Sequence, residues 1–411
     1  ARLTLANARG AHEAGAALVP RAEVVAFLRA PAAAGARTGE GGEVQGVRVR
    51  DCLDPARREQ EVRARVVVNA TGPWSDALRL LADPGAPRRL RPTKGVHLMV
   101  RRERLGNRHA IIFRSPVDGR VMFVLPWGEH AYVGTTDTDY DGLPGDVRAT
   151  PEDLAYLLAS ANGVFPGARL TEADVLSTWA GIRPLLAPRR GASEGLTAGA
   201  TSREHEIWLS RGGLLNIAGG KLTTYRVMAE QTVDAAARLL KTRHGVESGH
   251  SPTADLPLPG APSEPWPEFQ ARLTREAEAA GLDAAVGAHL ARAYGEDAEA
   301  LLAEVRRDPA LGARIVEGHP YVWAEVPHAV RSEMALTLED VLVRRLHLFY
   351  EAADGGLSVA GEVAARMAAE EGLGWSADET ARQVARYRRA VEENREAVAS
   401  TATTGGTGGI T

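Results

Sequence analysis

Apolar and polar positions change texture three times along the chain. The first stretch mixes periods. Residues 3–14 carry Leu3, Leu5, Ala6 and Ala8 at helical spacing and predict a helix. Leu18 to Leu28 predicts a strand, Ala30 to Gly42 a loop rich in Ala, Gly and Pro, and Val44 to Arg50 alternates as a strand does. Pro55 to Gln60 is polar and turns the chain back. Val62 to Ala70 predicts a further strand, fully apolar at Val66-Val67-Val68, that runs into Asn69-Ala70-Thr71-Gly72-Pro73-Trp74 and a helix from about Ser75 to Leu81. From Arg91 to Asp137 the texture is β: Val96 to Val100, Ala110 to Phe113, Val121 to Leu125 and Ala131 to Thr135 are short strands, with a hairpin signal at Asp118-Gly119. Thr150 caps a helix over Pro151 to Ala161, and strands follow at Val175 to Ile182 and Glu206 to Ser210.

Leu214 to Ala218 is a short apolar run suited to a strand covered on both faces. Gly219 and Gly220 permit positive φ and close approach of a ligand to the backbone. Thr223 or Thr224 can cap the next helix, whose apolar stripe is Val227, Met228, Val233, Ala236, Ala237 and Leu240. A helix N-terminus favours anions, and Lys221 adds a full charge at the corner. A plain strand-to-helix turn closed by two glycines has the same signature. Likewise, Ala-Thr-Gly after a buried strand fits either a tight strand exit or the backbone approach of a nucleotide-binding α/β fold.

Beyond Asp255-Leu256-Pro257-Leu258-Pro259-Gly260 the third texture is helical: about 267–280, 283–293, 297–305, 310–316, 325–333, 337–353, 357–371 and 376–398. Residues 401–411 are Thr/Gly-rich and are expected to form a disordered tail. The pattern divides the chain into a nucleotide-binding α/β part over 1–90 and 206–254, an inserted antiparallel β part over 91–205, and a C-terminal helical domain over 255–400.

Composition adds three constraints. A net charge of −4 gives no electrostatic reason to expect nucleic acid. Cys52 is the single cysteine, which excludes an intramolecular disulfide and a thiolate metal site and fits a reducing compartment. No apolar run approaches the roughly 20 residues that span a bilayer. Of 49 Lys and Arg, only Lys94, Lys221 and Lys241 are lysine. Two of them adjoin glycine, where a compact ammonium and a planar guanidinium are not interchangeable.

Six segments occur in one order: Val68-Asn69-Ala70-Thr71-Gly72-Pro73-Trp74, Thr93-Lys94-Gly95-Val96-His97, Val124-Leu125-Pro126-Trp127, Gly134-Thr135-Thr136-Asp137, Ala180-Gly181-Ile182-Arg183-Pro184-Leu185 and Gly219-Gly220-Lys221-Leu222-Thr223-Thr224-Tyr225. With these the chain resembles the FAD-dependent, respiratory glycerol-3-phosphate dehydrogenases over about residues 1–400. The resemblance extends to Glu339-Asp340-Val341-Leu342-Val343-Arg344-Arg345 in the helical part. One departure is large. The family opens on a strand and a G-x-G-x-x-G fingerprint for the FAD pyrophosphate, and no such spacing exists here, Gly39, Gly41 and Gly42 included. Ala1 is not Met, and the chain enters an amphipathic run at once. An N-terminal portion of domain scale, ~150 residues, is therefore expected to be missing.

The resemblance implies a fold class of α/β plus α: an incomplete FAD-binding Rossmann-like domain, an inserted antiparallel β substrate domain and a C-terminal helical domain. It implies FAD as cofactor, no metal, and oxidation of sn-glycerol 3-phosphate to dihydroxyacetone phosphate. Electrons would pass to a quinone, in a cytoplasmic protein with peripheral contact on the inner face of the membrane, and a homodimer is a candidate assembly. An oxidase using oxygen, an amine or hydroxy-acid oxidase of the same superfamily, and a non-catalytic remnant acting as a binding module stay open. Arg183, Arg203 and Lys221, with Thr224, would surround the phosphate, since Arg offers it bidentate hydrogen bonds. Ala70, Thr71, Gly72, Gly219, Gly220, Lys221, Leu222 and Thr223 would line the flavin. His97 is the candidate base, with an ordinary pKa near 6.5, and Lys221 and Arg183 stand with it as catalytic candidates. Thr135, Thr136 and Asp137 end a strand at a flavin or substrate wall, or form a plain turn.

Overall fold

A computed structural model describes residues 1–31, 42–54, 56–187 and 203–399. Most of the expected loop 30–42 and the whole tail 401–411 lie outside the described residues. Helix α1 (Arg2–Glu13) leads to an antiparallel meander of β1 (Ala22–Arg29), β2 (Val44–Asp51) and β3 (Glu59–Arg63). The expected strand over 62–70 is in fact two. Polar, exposed β3 pairs with β2, and the chain then crosses to another sheet as β4 (Val68–Asn69). Charged residues alternating on an edge strand read as a turn, yet Arg50–Glu59 and Arg48–Glu61 ion pairs hold β3 in register. Val68 is exposed rather than buried.

Helix α2 (Ser75–Ala82) follows, and then the main sheet begins with β5 (Leu90–Arg101), a strand that starts well before its apolar core. A short α3 (Arg102–Leu105), β6 (Ile111–Arg114), β7 (Val121–Trp127), β8 (His130–Gly134), β9 (Thr138–Asp139), α4 (Pro151–Val164) and β10 (Val175–Leu186) complete it. The spatial order is β10-β5-β8-β7-β6, with β9 on β5, and all pairs are antiparallel. Alternation sorts β5 cleanly. Val96, Leu98 and Val100 face α4 and pack on Leu154, Leu157 and Ala161, while Gly95, His97 and Met99 face the other way. Thr150 caps α4 as its sequence predicts, and Asp153 returns the bond to complete a reciprocal pair.

The chain returns as β11 (His205–Leu209) and β12 (Leu215–Gly219). β12 lies between β11, antiparallel, and β4, parallel. Helix α5 (Tyr225–His244) covers this sheet incompletely. It turns Gln231, Ala235, Arg238 and Leu239 toward β11 and β12 across a cavity of about 490 Å³. Val227 and Val233 of the expected buried stripe are exposed.

The C-terminal part holds α6 (Trp266–Ala279), α7 (Ala284–Tyr294), α8 (Ala298–Arg307), α9 (Glu325–Glu333), α10 (Leu338–Leu342), α11 (Leu348–Glu351), α12 (Leu357–Ala368) and α13 (Ala377–Ala399). Its two apolar cores draw only on residues of this part. The helix expected over 337–353 is broken. His347 adopts φ of 58°, and the chain bends there to bring Tyr350 and Glu351 onto the main sheet. The helix expected over 310–316 is a single turn, Pro309–Gly312, followed by an extended pairing of Arg314 with Val322. Helix α1 docks on this part through Arg2–Glu333 and Arg9–Asp297 ion pairs. Among the described residues no helix is long and apolar enough to cross a membrane.

Candidate functional site

Two strand ends meet at one edge. β4 and β12 are adjacent and parallel, with Asn69 beside Asn216, so Ala70-Thr71-Gly72 and Gly219-Gly220-Lys221 leave the sheet at the same carboxyl end. That is where open α/β sheets receive ligands. A buried amide pair ties the corners together. Asn69 Nδ2 donates to Asn216 Oδ1 at 3.0 Å and to the Ser75 carbonyl at 3.0 Å, and Thr71 Oγ1 donates to Asn69 Oδ1 at 2.7 Å. Asn216 in turn donates to the Leu214 carbonyl and to Ser210 Oγ. Gly219 and Gly220 have φ of 80° and 85°, and a Cβ on Gly219 would lie 2.4 Å from the Glu204 carbonyl. The glycines thus answer a backbone need as well as any ligand.

The helix after the corner differs from expectation. Leu222–Thr224 form a 3₁₀ turn and α5 begins at Tyr225, with no side-chain cap. Thr224 Oγ1 donates back to the Lys221 carbonyl at 3.0 Å instead. Lys221, Leu222, Thr223 and Thr224 are exposed, as are Ala70 and Thr71.

The second half of the site lies on the face of the main sheet opposite α4. β10 packs beside β12 and the Gly72–Trp74 turn, which joins the two halves. Across the β5–β10 pair the register places His97 opposite Trp179, Gly95 opposite Gly181, and Thr93 opposite Arg183. All six share one face. The Arg183 side chain folds back over Gly95, where a Cβ would come within 2.3–2.7 Å of its guanidinium. The Cδ2–Nε2 edge of His97 lies over Gly134 in the same way, 2.0–2.6 Å from where a Cβ would be. Above Gly181 nothing lies within 4 Å of a Cβ position. The result is bare backbone at Gly181, beside the guanidinium that covers Gly95.

Arg183 donates to Asp137 Oδ1 at 3.1 Å, to Thr135 Oγ1 at 3.0 Å and to the Thr136 carbonyl at 3.1 Å. Arg203 approaches Asp137 Oδ2 at 3.8 Å, and Arg120 donates to the Asp137 carbonyl at 3.1 Å. Two guanidiniums therefore share one buried carboxylate, an excess of positive charge, while Arg120 sits on the backbone carbonyl and pairs with Asp118 at 3.6 Å. Asp137, read above as a wall or a turn, is the anchor of that cluster, and Arg120 was not foreseen. Lys221 makes no ion pair among the described residues, and the structure does not bring it into hydrogen-bonding contact with Arg183, Arg203 or His97.

Burial first, and the Arg183 charge second, together lower the pKa of His97 to about 4. The expected titration near 6.5 is thus displaced, and the ring is neutral at neutral pH. Its Nδ1 is buried with no protein partner. Trp179 stacks on it at 5.2 Å and 16°, and Tyr132 meets it edge-on at 5.8 Å.

A flavin fits the open corners, because Gly72 and Gly181 leave free space and the Asn69–Asn216 pair fixes the two strand exits. No described residue supplies the G-x-G-x-x-G cradle for a pyrophosphate. Comparison with known proteins supports the flavin. The family described as FAD dependent oxidoreductase matches residues 1–226, and the C-terminal domain of alpha-glycerophosphate oxidase matches residues 251–380. Glycerol-3-phosphate dehydrogenase 2 of Mycobacterium tuberculosis is 38% identical over 396 residues, which is 95% of this chain and 62% of that protein. The aerobic glycerol-3-phosphate dehydrogenase of Staphylococcus haemolyticus is 34% identical over 85% of this chain and 60% of its own length. This chain thus spans less than two thirds of the curated relatives it matches. The crystal structure of glycerol-3-phosphate dehydrogenase from Bacillus halodurans complexed with FAD superposes with a TM-score of 0.79 at 32% identity, over 96% of this chain and 72% of that one. The chain belongs to the FAD-dependent glycerol-3-phosphate dehydrogenase family.

Proposed function

We propose that this chain carries the substrate side of a flavin-linked dehydrogenation of sn-glycerol 3-phosphate to dihydroxyacetone phosphate. The observation that supports it is the shared face of β5 and β10, which carries His97, the Arg183 guanidinium over Gly95 and the bare backbone of Gly181. The phosphate sits against Arg183 and Arg203, which already share Asp137, with Lys221 and Thr224 closing from the glycine corner. The triose lies over Gly181, and its C2 hydroxyl faces the neutral imidazole of His97. The ring accepts the hydroxyl proton. A phosphate dianion on Arg183 offsets the charge that depresses His97, so binding makes the ring a stronger base. FAD, when bound, supplies the two-electron oxidant, and Ala70, Thr71, Gly72, Gly219, Gly220, Lys221, Leu222 and Thr223 would hold it.

The division into flavin-binding, substrate and helical domains belongs to the same reading. So do a quinone acceptor, a homodimer, and a cytoplasmic protein in peripheral contact with the inner face of the membrane, on the strength of the family alone. The test is calorimetric titration of the chain with glycerol 3-phosphate, glycerol and inorganic phosphate. Glycerol 3-phosphate and phosphate should bind and glycerol should not, and Arg183→Ala should weaken phosphate binding about tenfold or more. Binding indifferent to the phosphate, or to Arg183→Ala, refutes the assignment. In flavin-loaded protein, peroxide formation would identify the oxidase alternative, and absence of any turnover would favour the binding remnant.

A further inference from the structure

Catalytic imidazoles are commonly oriented by a hydrogen bond from the ring nitrogen remote from the substrate. His97 has none: its Nδ1 is buried without a protein partner. Its orientation therefore rests on ring contacts. Trp179, its cross-strand neighbour on β10, stacks on one face, and Tyr132 on β8 touches the edges of both rings, 5.3 Å from Trp179. Trp179 is held in turn. Tyr350 of α11 meets it edge-on at 5.5 Å.

Tyr350 is held both by the helices and by the edge of the main sheet. Phe349 packs on Tyr350 at 5.0 Å and on Tyr387 at 6.1 Å, and Tyr387 is fully buried in the helical core. Glu351, next in the chain, accepts from Trp127 Nε1 at 2.7 Å and from Tyr321 OH at 2.8 Å. Ser177 Oγ donates to the Tyr350 carbonyl at 2.9 Å. The side chain of Asn394 on α13 pairs with both backbone groups of Thr178, accepting from N at 3.3 Å and donating to O at 2.7 Å. β10 is the edge strand of its sheet, so Asn394 pins that edge beside Trp179.

We propose that Tyr350 and Trp179 are positioning residues for His97, and that through them the C-terminal helices set the orientation of the imidazole on the substrate floor. The inference rests on the reading of His97 as the base. It gives the helical part a role in the reaction that its distance in sequence conceals. Ring packing carries the effect, because the Tyr350 hydroxyl makes no hydrogen bond to a described residue. The charged and titratable groups nearest His97 are Arg183 on β10 and Tyr132 on β8, with Glu351 and His347 beyond Trp127.

The test is nitrogen-15 NMR of the full chain labelled at histidine, with the His97 signals assigned by their loss in His97→Gln. In the native protein His97 should titrate near 4. Tyr350→Ala and Trp179→Ala should admit water beside the ring and move its titration toward 6.5 by about one unit or more, while Tyr350→Phe should leave it in place. In flavin-loaded protein the two alanine variants should lose about ten- to a hundredfold in kcat with little change in KM. Should an alanine variant fail to fold, Trp179→Phe and Tyr350→Leu, which keep apolar bulk, carry the same expectation at reduced size. A folded Tyr350→Ala or Tyr350→Leu with unchanged His97 titration overturns the proposal. A moved titration with turnover indifferent to His97→Gln would instead refute His97 as the base and leave the positioning intact.

Discussion

Lowering the pH from 7 toward 4.5 should destabilise this protein through two buried imidazoles. His97 and His347 are both held near 4, His97 by burial and then Arg183, His347 by burial against a partly compensating Glu351. In the unfolded chain each would titrate near 6.5. Between about 6.5 and 4 the unfolded state therefore binds more protons than the native state, and stability falls as pH falls. Above 6.5 both states are neutral, and below 4 both are charged, so the effect is confined to that window. A displacement of about two and a half units at ~1.4 kcal/mol each gives a ceiling of ~3.5 kcal/mol per ring. Both rings keep some solvent contact, so ~2 kcal/mol each is the working expectation. Buried carboxylates act lower. Burial would raise Glu325 and Glu351, but His289 for the first, and His319, Trp127 and Tyr321 for the second, hold them below the usual range. Their contribution is present above about 4.3 and is lost as pH falls through their depressed values. The assay is guanidinium denaturation at a series of pH values, followed by tryptophan fluorescence and far-ultraviolet circular dichroism. His97→Gln and His347→Gln should each flatten the slope between pH 6.5 and 4.5, whatever they do to stability at pH 7. Slopes that match the native protein in both variants would refute the assignment of neutral, desolvated rings.

Two further predictions concern the site in flavin-loaded protein. Lys221→Ala should lower kcat/KM for glycerol 3-phosphate about ten- to a hundredfold, the value of one charge-assisted hydrogen bond, while Lys241→Arg stays neutral; steady-state kinetics decides both. Gly181→Val should leave the melting temperature unchanged or higher, because a Cβ there meets open space and valine suits a strand, yet abolish glycerol 3-phosphate binding in a titration; retained affinity would move the floor elsewhere.

Local signals carried the sequence reading furthest. The Thr150 cap of α4, the positive φ at Gly219 and Gly220, and the strand over Val96 to Val100 each depend on residues a few positions apart, and each is present. The elements that departed did so where distant residues decide. β3 is polar and is held by cross-strand ion pairs to β2. The break at His347 belongs to the contact that Tyr350 and Glu351 make with a sheet laid down far earlier in the chain. α5 carries an apolar stripe, but the neighbouring strands select a different face of it. In the candidate site, Arg183 and His97 were singled out by their motifs. Their relation was not, because it lies in a register that pairs Gly95 with Gly181. Asp137 was legible as a residue and not as the counter-ion of two arginines.

The three lysines show what composition can and cannot decide. Scarcity in an arginine-rich chain marked Lys94 and Lys221 alike as positions where a guanidinium does not serve. The structure separates them by partner. Lys94 points from β5 toward α4, opposite to His97, is 8% exposed, and pairs with Asp153, the same carboxylate that closes the α4 capping box. A planar fork would not enter that slot, so its persistence has a packing cause. Lys241 pairs with Glu247 on the surface at 3.0 Å. Lys221 alone of the three lacks an ion-pair partner among the described residues, and it stands exposed at the carboxyl end of β12. Arg183 and Arg203 already spend much of their charge on Asp137, whereas the Lys221 charge is uncompensated. An anion arriving at the glycine corner therefore gains most from this ammonium, which is why the substitution of Lys221, rather than of the arginines already paired with Asp137, is the sharper probe of the corner.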